Sequence, residues 1–182
     1  MKLHFDSKQE FQIEAVKAIT DIFEGQSLSS GDFEFSISQP DALLTENGSG
    51  NKLDFSQLDQ LTENILRVQK NNCLKVSTKD GIINNGWNFS VEMETGTGKT
   101  YVYIRTIYEL NKLYGFKKFV IVVPSVAIRE GVMKNLEITE EHFQNLYDKI
   151  PVTSNVYDSR KVSILRGFAS ANSIQVLVIN ID

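Results

Sequence analysis

Met93-Glu94-Thr95-Gly96-Thr97-Gly98-Lys99-Thr100 lies between the apolar run Trp87-Asn88-Phe89-Ser90-Val91 and the helix-forming run Tyr101-Val102-Tyr103-Ile104-Arg105-Thr106-Ile107-Tyr108. The first run predicts a strand ending at the loop and the second a helix leaving it. Backbone N–H groups of such a glycine-bearing turn converge on an anion, and the positive end of the helix dipole adds to the attraction. Thr95, Gly96, Thr97, Gly98, Lys99 and Thr100 are the expected cradle for a nucleoside triphosphate. Lys99 would reach the β- and γ-phosphates, and the Thr100 hydroxyl would ligate the accompanying Mg²⁺. Catalysis is expected to depend on these last two residues. A bare Gly-Lys-Thr also begins ordinary helices; the apolar runs on either side set this one apart.

Met93 stands where the general phosphate-loop pattern has its first glycine. With Thr-Gly-Thr-Gly-Lys-Thr behind it, the stretch resembles the first motif of superfamily 2 helicases and translocases more than that of a small-molecule kinase.

Composition sets bounds on the rest. A chain of 182 residues with 41% hydrophobic residues can bury the core of one domain. A formal charge of −4 argues against a free-standing nucleic-acid binder, which needs clustered Lys and Arg. Cys73 is the only cysteine, which excludes an internal disulfide and suits a reducing cytoplasm. It reads as a small buried apolar side chain beside Leu74 and Val76. His4 and His142 lack metal-ligand company and read as surface or cap residues. No run is apolar and long enough for a signal peptide or a membrane span.

The first segment reads as an amphipathic helix from about Ser7 to Glu24. Asp6 caps it with Gln9 reaching back, Gly25 stops it, and Ala15, Ile19, Ile22 and Phe23 form its core face. The run Phe11-Gln12-Ile13-Glu14-Ala15-Val16 lies within it. In isolation Gln12 is a solvated helix residue. Upstream of this loop, the superfamily 2 resemblance implies that the Gln12 amide reads the adenine edge with one donor and one acceptor, selecting ATP over guanine nucleotides. Gln9 is the weaker competitor, and either Phe5 or Phe11 is available to stack on the base.

Residues 26–86 separate the adenine element (1–25) from the phosphate-loop core (87–182). Within this interval, residues 25–52 are rich in Ser, Gly, Asn and Asp, with a short strand expected at Phe33–Ile37. Asn47-Gly48 and Asn85-Gly86 are turn signals. Leu58, Leu61, Ile65 and Val68 recur at helical spacing and predict a helix from about Phe55 to Lys70. The interval reads as a family-specific helical and irregular insertion, either a partner surface or a solvated decoration.

Beyond the loop, helix and strand alternate. The helix after Thr100 ends at Gly115. Lys118–Val123 forms a near-continuous apolar strand suited to a parallel sheet covered on both sides, and Pro124 stops it. Two helices follow, one with Ile128, Val132 and Leu136, the other with Phe143, Leu146, Tyr147 and Ile150. Pro151 opens a strand through Val156, Asp158 caps a helix with Val162, Leu165 and Phe168, and Ile174–Ile179 is a buried strand. This rhythm implies an α/β fold, a three-layer parallel sheet of the RecA-like P-loop NTPase kind.

Val123-Pro124-Ser125-Val126-Ala127-Ile128-Arg129-Glu130-Gly131 sits at the carboxyl edge of a sheet strand, where open α/β sheets bind ligands. Taken alone it is a plain strand-to-helix turn. It resembles the Ia motif of superfamily 2 motors, and that resemblance implies that Ser125 and Arg129 hold a nucleic-acid phosphate backbone, without reading sequence.

The likeness then narrows. Glu92-Met93-Glu94-Thr95-Gly96-Thr97-Gly98-Lys99-Thr100-Tyr101-Val102-Tyr103, Glu109-Leu110-Asn111-Lys112 and Tyr114-Gly115-Phe116-Lys117-Lys118-Phe119 closely resemble the Res subunit of type III restriction enzymes. Val123–Val132, Glu137–Phe143 and Val178–Asp182 fit the same family, and only residues 26–52 fall outside the likeness. The resemblance implies an ATP-driven motor on double-stranded DNA with a C-terminal nuclease, partnered by a Mod methyltransferase that recognises the site. It also implies further first-domain sequence after Asp182, including the acidic Walker B element, then a second motor domain and the nuclease. Residues 1–182 are thus expected to be an incomplete first lobe, inactive alone in ATP hydrolysis and DNA cleavage. Two other classes remain open from sequence. One is a different superfamily 2 protein, such as a type I restriction motor subunit or an RNA helicase. The other is a non-catalytic nucleotide-binding or partner-docking module.

Overall fold

The computed structural model describes residues 5–27, 51, 53–84 and 86–181. The expected strand at Phe33–Ile37, the Asn47-Gly48 turn, Asn85, His4 and Asp182 lie outside them. Two compact units are present, one holding residues 5–27 and 53–114, the other residue 51 and residues 115–181.

In the first unit, helix α1 spans Glu10–Thr20 and continues as a tighter turn through Asp21–Phe23. It begins three residues later than the capping pattern suggests. The Asp6 carboxylate accepts from the Lys8 amide at 2.8 Å, a local turn that competes with helix capping. Gln9 takes the N-cap position without a side-chain cap bond. The inward stripe is Gln12, Val16 and Thr20, with Ala15 and Ile19 only half-buried. The Gly25 backbone is left-handed at φ +89°, as its place after the helix suggests.

Helix α2 spans Leu58–Asn71, close to the expected bounds, and α3 spans Lys79–Asn84, where no helix is expected from sequence. Ile22, Leu61, Ile65 and Ile82 form one core cluster, with Phe23, Leu66, Val68 and Trp87 packed against it. Each such fully buried side chain contributes about 1.5–3 kcal/mol relative to exposure. Asn64 is buried and donates to the Ile22 carbonyl at 3.1 Å and the Glu24 carbonyl at 2.8 Å, fixing the chain as it leaves α1. Cys73 corrects the sequence reading: it is exposed, as are Leu74 and Val76. Its φ of 55° makes it the left-handed residue after α2, while the Leu74 amide reaches back to the Gln69 carbonyl at 2.9 Å. A residue closing a helix end stands outside the core.

Residues 88–94 do not form the expected strand before the loop, and Phe89 and Val91 are exposed. A strand exists only where a neighbour accepts its hydrogen bonds, and no described residue supplies that ladder. Helix α4 spans Lys99–Tyr114 and ends at Gly115, φ +71°. It packs on α1, with the buried Tyr114 hydroxyl donating to the Thr20 carbonyl at 2.9 Å.

The second unit is built on a three-stranded parallel sheet, order β1-β3-β2, with β1 Lys118–Val123, β2 Val152–Val156 and β3 Ile174–Asn180. Central β3 is buried from Ile174 to Val178, as its unbroken apolar run requires. Among the described residues β1 is an edge strand, and it leaves Val120 and Val122 exposed at 52% and 58%. The Asn51 side chain caps the start of that edge. Its oxygen accepts from the Lys117 and Lys118 amides at 2.7 and 3.0 Å, and its nitrogen donates to the Lys118 carbonyl at 2.7 Å.

Helix α5 runs unbroken over Val126–Leu146, replacing the two helices expected there. No Gly or Pro interrupts residues 132–146, and Val132, Thr139 and Phe143 continue one buried stripe. Asp148 and Lys149, both left-handed, end it. Helix α6 spans Val162–Ser170. Asp158 is not its cap: its carboxylate accepts from the Arg160 amide and guanidinium, both at 3.0 Å, and Lys161 takes the N-cap position. That pairing holds the Asp158 carboxyl below the usual carboxylate range, through the Arg160 side-chain and backbone hydrogen bonds. Helices α5 and α6 pack on the sheet.

Candidate phosphate-binding loop and strand-end loop

The phosphate loop turns twice through the left-handed region, at Gly96 and Gly98, each with φ +85°. The side of Gly96 where a Cβ would project is open, so its angle alone calls for glycine there. At Gly98 the angle likewise favours glycine, and a Cβ would stand 2.7 Å from the Gln12 side-chain nitrogen and displace the end of that side chain. The Glu94 carbonyl gathers the loop: the Thr97 hydroxyl donates to it at 2.7 Å and the Lys99 ammonium at 2.9 Å. Glu94 thus shapes the loop through its backbone oxygen. The Gly98 carbonyl accepts the first bond of α4, from the Val102 amide at 3.0 Å. Among the described residues, the amides of Gly96, Gly98, Lys99 and Thr100 donate to no protein acceptor. Unpaired amides, an ammonium group and a helix N-terminus are the kind of donors that an anion-binding loop uses.

Gln12 stands against this loop. It is buried, and its amide nitrogen donates to the Thr97 carbonyl at 2.9 Å. The two sequence elements singled out for nucleotide recognition are therefore in direct contact. Phe5 stacks on Tyr101 with ring centroids 6.1 Å apart, while Phe11 points to solvent at 47% exposure. Gln9 is the N-cap of α1 and stays off the loop's hydrogen-bond network. Arg105 holds the segment before α1 by donating to the Ser7 carbonyl at 2.7 Å.

Thr100 is half-buried at the start of α4. One turn along, the Tyr103 hydroxyl is buried and has no hydrogen-bond partner. Burial pushes that phenol up, and the nearby Thr100 hydroxyl offsets part of the rise, though the pair falls short of hydrogen-bond geometry.

Ser125 and Arg129 belong to the second unit. Ser125 is the N-cap of α5, and its hydroxyl accepts from the Ile128 amide at 3.4 Å. The Arg129 guanidinium donates to the Asn180 side-chain oxygen and to the Glu130 carboxylate, each at 2.8 Å. Both residues therefore lie where β1 and β3 end, and Glu130 balances part of the arginine charge. The structure joins Gln12 to the loop and Arg129 to the end of β3.

Sequence reading misses Arg105, Tyr103, Asn51 and Asn180. For Tyr103 a signal exists, since residues three apart on a helix are neighbours and Thr100 belongs to the loop motif. The contacts of Asn51, Arg105 and Asn180 cross 51 or more positions and leave no local pattern.

The family model described as type III restriction enzyme, res subunit, matches residues 7–182. Similar proteins include the type III restriction-modification enzyme StyLTI Res subunit of Salmonella typhimurium, 39% identical over 110 residues. That match covers 51% of this chain and 11% of the relative. The EcoPI Res subunit of Escherichia phage P1 is 38% identical over 104 residues, covering 56% of this chain and 10% of the relative. The EcoP15I Res subunit of Escherichia coli is 40% identical over 100 residues, covering 50% and 10%. These matches span about a tenth of the relatives' length. Over nearly its whole length, then, this chain with its glycine-turned loop and parallel sheet belongs to the Res-subunit family of type III restriction enzymes, whose motor fold is RecA-like.

Proposed function

We propose that this chain is the ATP- and DNA-binding part of the motor of a type III restriction subunit. The observation that carries the reading is the set of unpaired amides at Gly96, Gly98, Lys99 and Thr100 beside the Lys99 ammonium. Lys99 leaves the Glu94 carbonyl and turns to the β- and γ-phosphates, while the loop amides and the N-terminus of α4 hold the remaining oxygens. Thr95 and Thr97 flank this cradle, and the Thr97 hydroxyl keeps the loop closed on Glu94. Mg²⁺ suits the donors present, because a nucleotide-borne Mg²⁺ takes few protein ligands and Thr100 offers one hydroxyl at the loop's edge. When bound, the ion neutralises charge on the phosphates. Gln12, with one amide proton on Thr97, keeps its oxygen and second proton for the adenine edge.

Ser125 and Arg129 are proposed to grip the backbone of double-stranded DNA, aided by the first-turn amides of α5. The proposed organisation is an adenine element at 1–25, an insertion at 26–86 and a phosphate-loop core at 87–182. For the whole protein we propose ATP-driven movement on DNA coupled to cleavage, in the cytoplasm, with a Mod methyltransferase partner. Among the described residues no helix is long and apolar enough to cross a membrane. The 182-residue chain by itself is proposed to bind ATP without turning it over, since no Asp-Glu pair follows an apolar strand in it.

Calorimetry of the chain with ATP and MgCl₂ tests this reading. Saturable binding is expected, weakened about 10- to 100-fold by Lys99→Ala, the scale of a lost charge-assisted bond. A folded chain giving no heat, or a Lys99→Ala variant binding as well as the parent, rules out the nucleotide site.

A further inference from the structure

A threonine hydroxyl carries one proton and two lone pairs. When Thr100 turns a lone pair toward a divalent ion, its proton needs an acceptor on the other side, and the metal makes that proton a stronger donor. The Tyr103 oxygen is a candidate acceptor: it lies one turn along the same helix, is buried, and has no other partner. Residues three apart on a helix lie side by side, and the Thr100 hydroxyl is near enough to act on the Tyr103 phenol. A phenylalanine would fill the same space without burying a bare hydroxyl.

We propose that Tyr103 is a positioning residue for Mg²⁺ recognition, accepting the Thr100 hydroxyl proton so that the Thr100 oxygen faces the ion carried by ATP. The proposal rests on the nucleotide reading above. It assigns Tyr103 no contact with the nucleotide.

The test is calorimetric titration of the chain with ATP, once in EDTA and once across a range of MgCl₂. Tyr103→Phe is expected to leave affinity in EDTA unchanged and to raise the MgCl₂ concentration for half-maximal effect about 10- to 100-fold, the usual loss when a ligand's outer hydrogen bond is removed. Thr100→Val is expected to cause the same loss, and adding Tyr103→Phe to it should change nothing further. The proposal is overturned by an unchanged MgCl₂ midpoint in Tyr103→Phe. An equal loss in EDTA, which marks a packing role, overturns it too, as does an undiminished effect in the Thr100→Val background. A parent chain that fails to bind ATP with MgCl₂ removes the nucleotide reading instead, and this proposal with it.

Discussion

The Gln12 amide donates to the Thr97 carbonyl at 2.9 Å, tying α1 to the phosphate loop across 85 positions. Gln12 is buried and the bond itself part-buried, so water competes with it less than at the open surface. Gln12→Ala is expected to lower stability by about 1–2 kcal/mol. It should also narrow the preference for ATP over GTP, as measured by urea unfolding and competitive nucleotide binding. An unchanged unfolding midpoint would show that the bond contributes nothing.

Gly98 and Gly96 share a backbone angle but differ in surroundings, and their alanine variants should differ accordingly. Gly96→Ala carries only the angular strain, about 1–2 kcal/mol. Gly98→Ala adds a clash with the Gln12 nitrogen. Pairing Gly98→Ala with Gln12→Ala should relieve the clash, so the double variant is expected to be more stable than the sum of the single losses. Simple additivity in thermal unfolding would refute the crowding account.

Asn51 satisfies two amides and one carbonyl at the start of β1. Asn51→Ala leaves those groups to water. Hydrogen exchange at the Lys117 and Lys118 amides is expected to accelerate by roughly tenfold or more, equivalent to about 1.4 kcal/mol of local opening. Exchange in the middle of β3, buried between its neighbours, should not change. Uniform acceleration across the sheet would point instead to global destabilisation.

Arg129 is anchored by Asn180 and partly neutralised by Glu130. If it meets a DNA phosphate, Arg129→Ala weakens binding equally across sequences and lowers the salt slope by about 1. Glu130→Gln frees the guanidinium from its carboxylate and is expected to tighten the same binding. Fluorescence anisotropy against salt concentration, with duplexes of unrelated sequence, reads both. A loss confined to one sequence would contradict a backbone role.

Several features are legible in the order of residues alone. The glycine–lysine–threonine run, the apolar strands at Lys118–Val123 and Ile174–Asn180, and the helix ends at Gly25 and Gly115 are short-range signals that residue chemistry sets locally. The helix over Leu58–Asn71 is equally readable, because its apolar spacing is helical. A division of residues 126–146 into two helices fails because a polar stretch on a long helix looks like a break when its partner face is unknown. The buried reading of Cys73 fails for a related reason. Its apolar neighbours suggest a core, while its place as the left-handed residue closing α2 puts it outside.

The sequence by itself determined the family, the glycine-bearing turn before α4, and the strands and helices of residues 118–180 apart from the undivided α5. All of these depend on residue types close together along the chain. Tertiary structure alone decided that Gln12 braces Thr97, that Asn51 caps the start of β1, that Asn180 holds Arg129, and that the Tyr103 hydroxyl is buried beside Thr100. It also decided that residues 88–94 stay unpaired as a strand. The physical reason is common to most of these: which hydrogen-bond partner a polar group finds, or whether it finds one, depends on what the fold brings within about 3 Å, however far away in sequence.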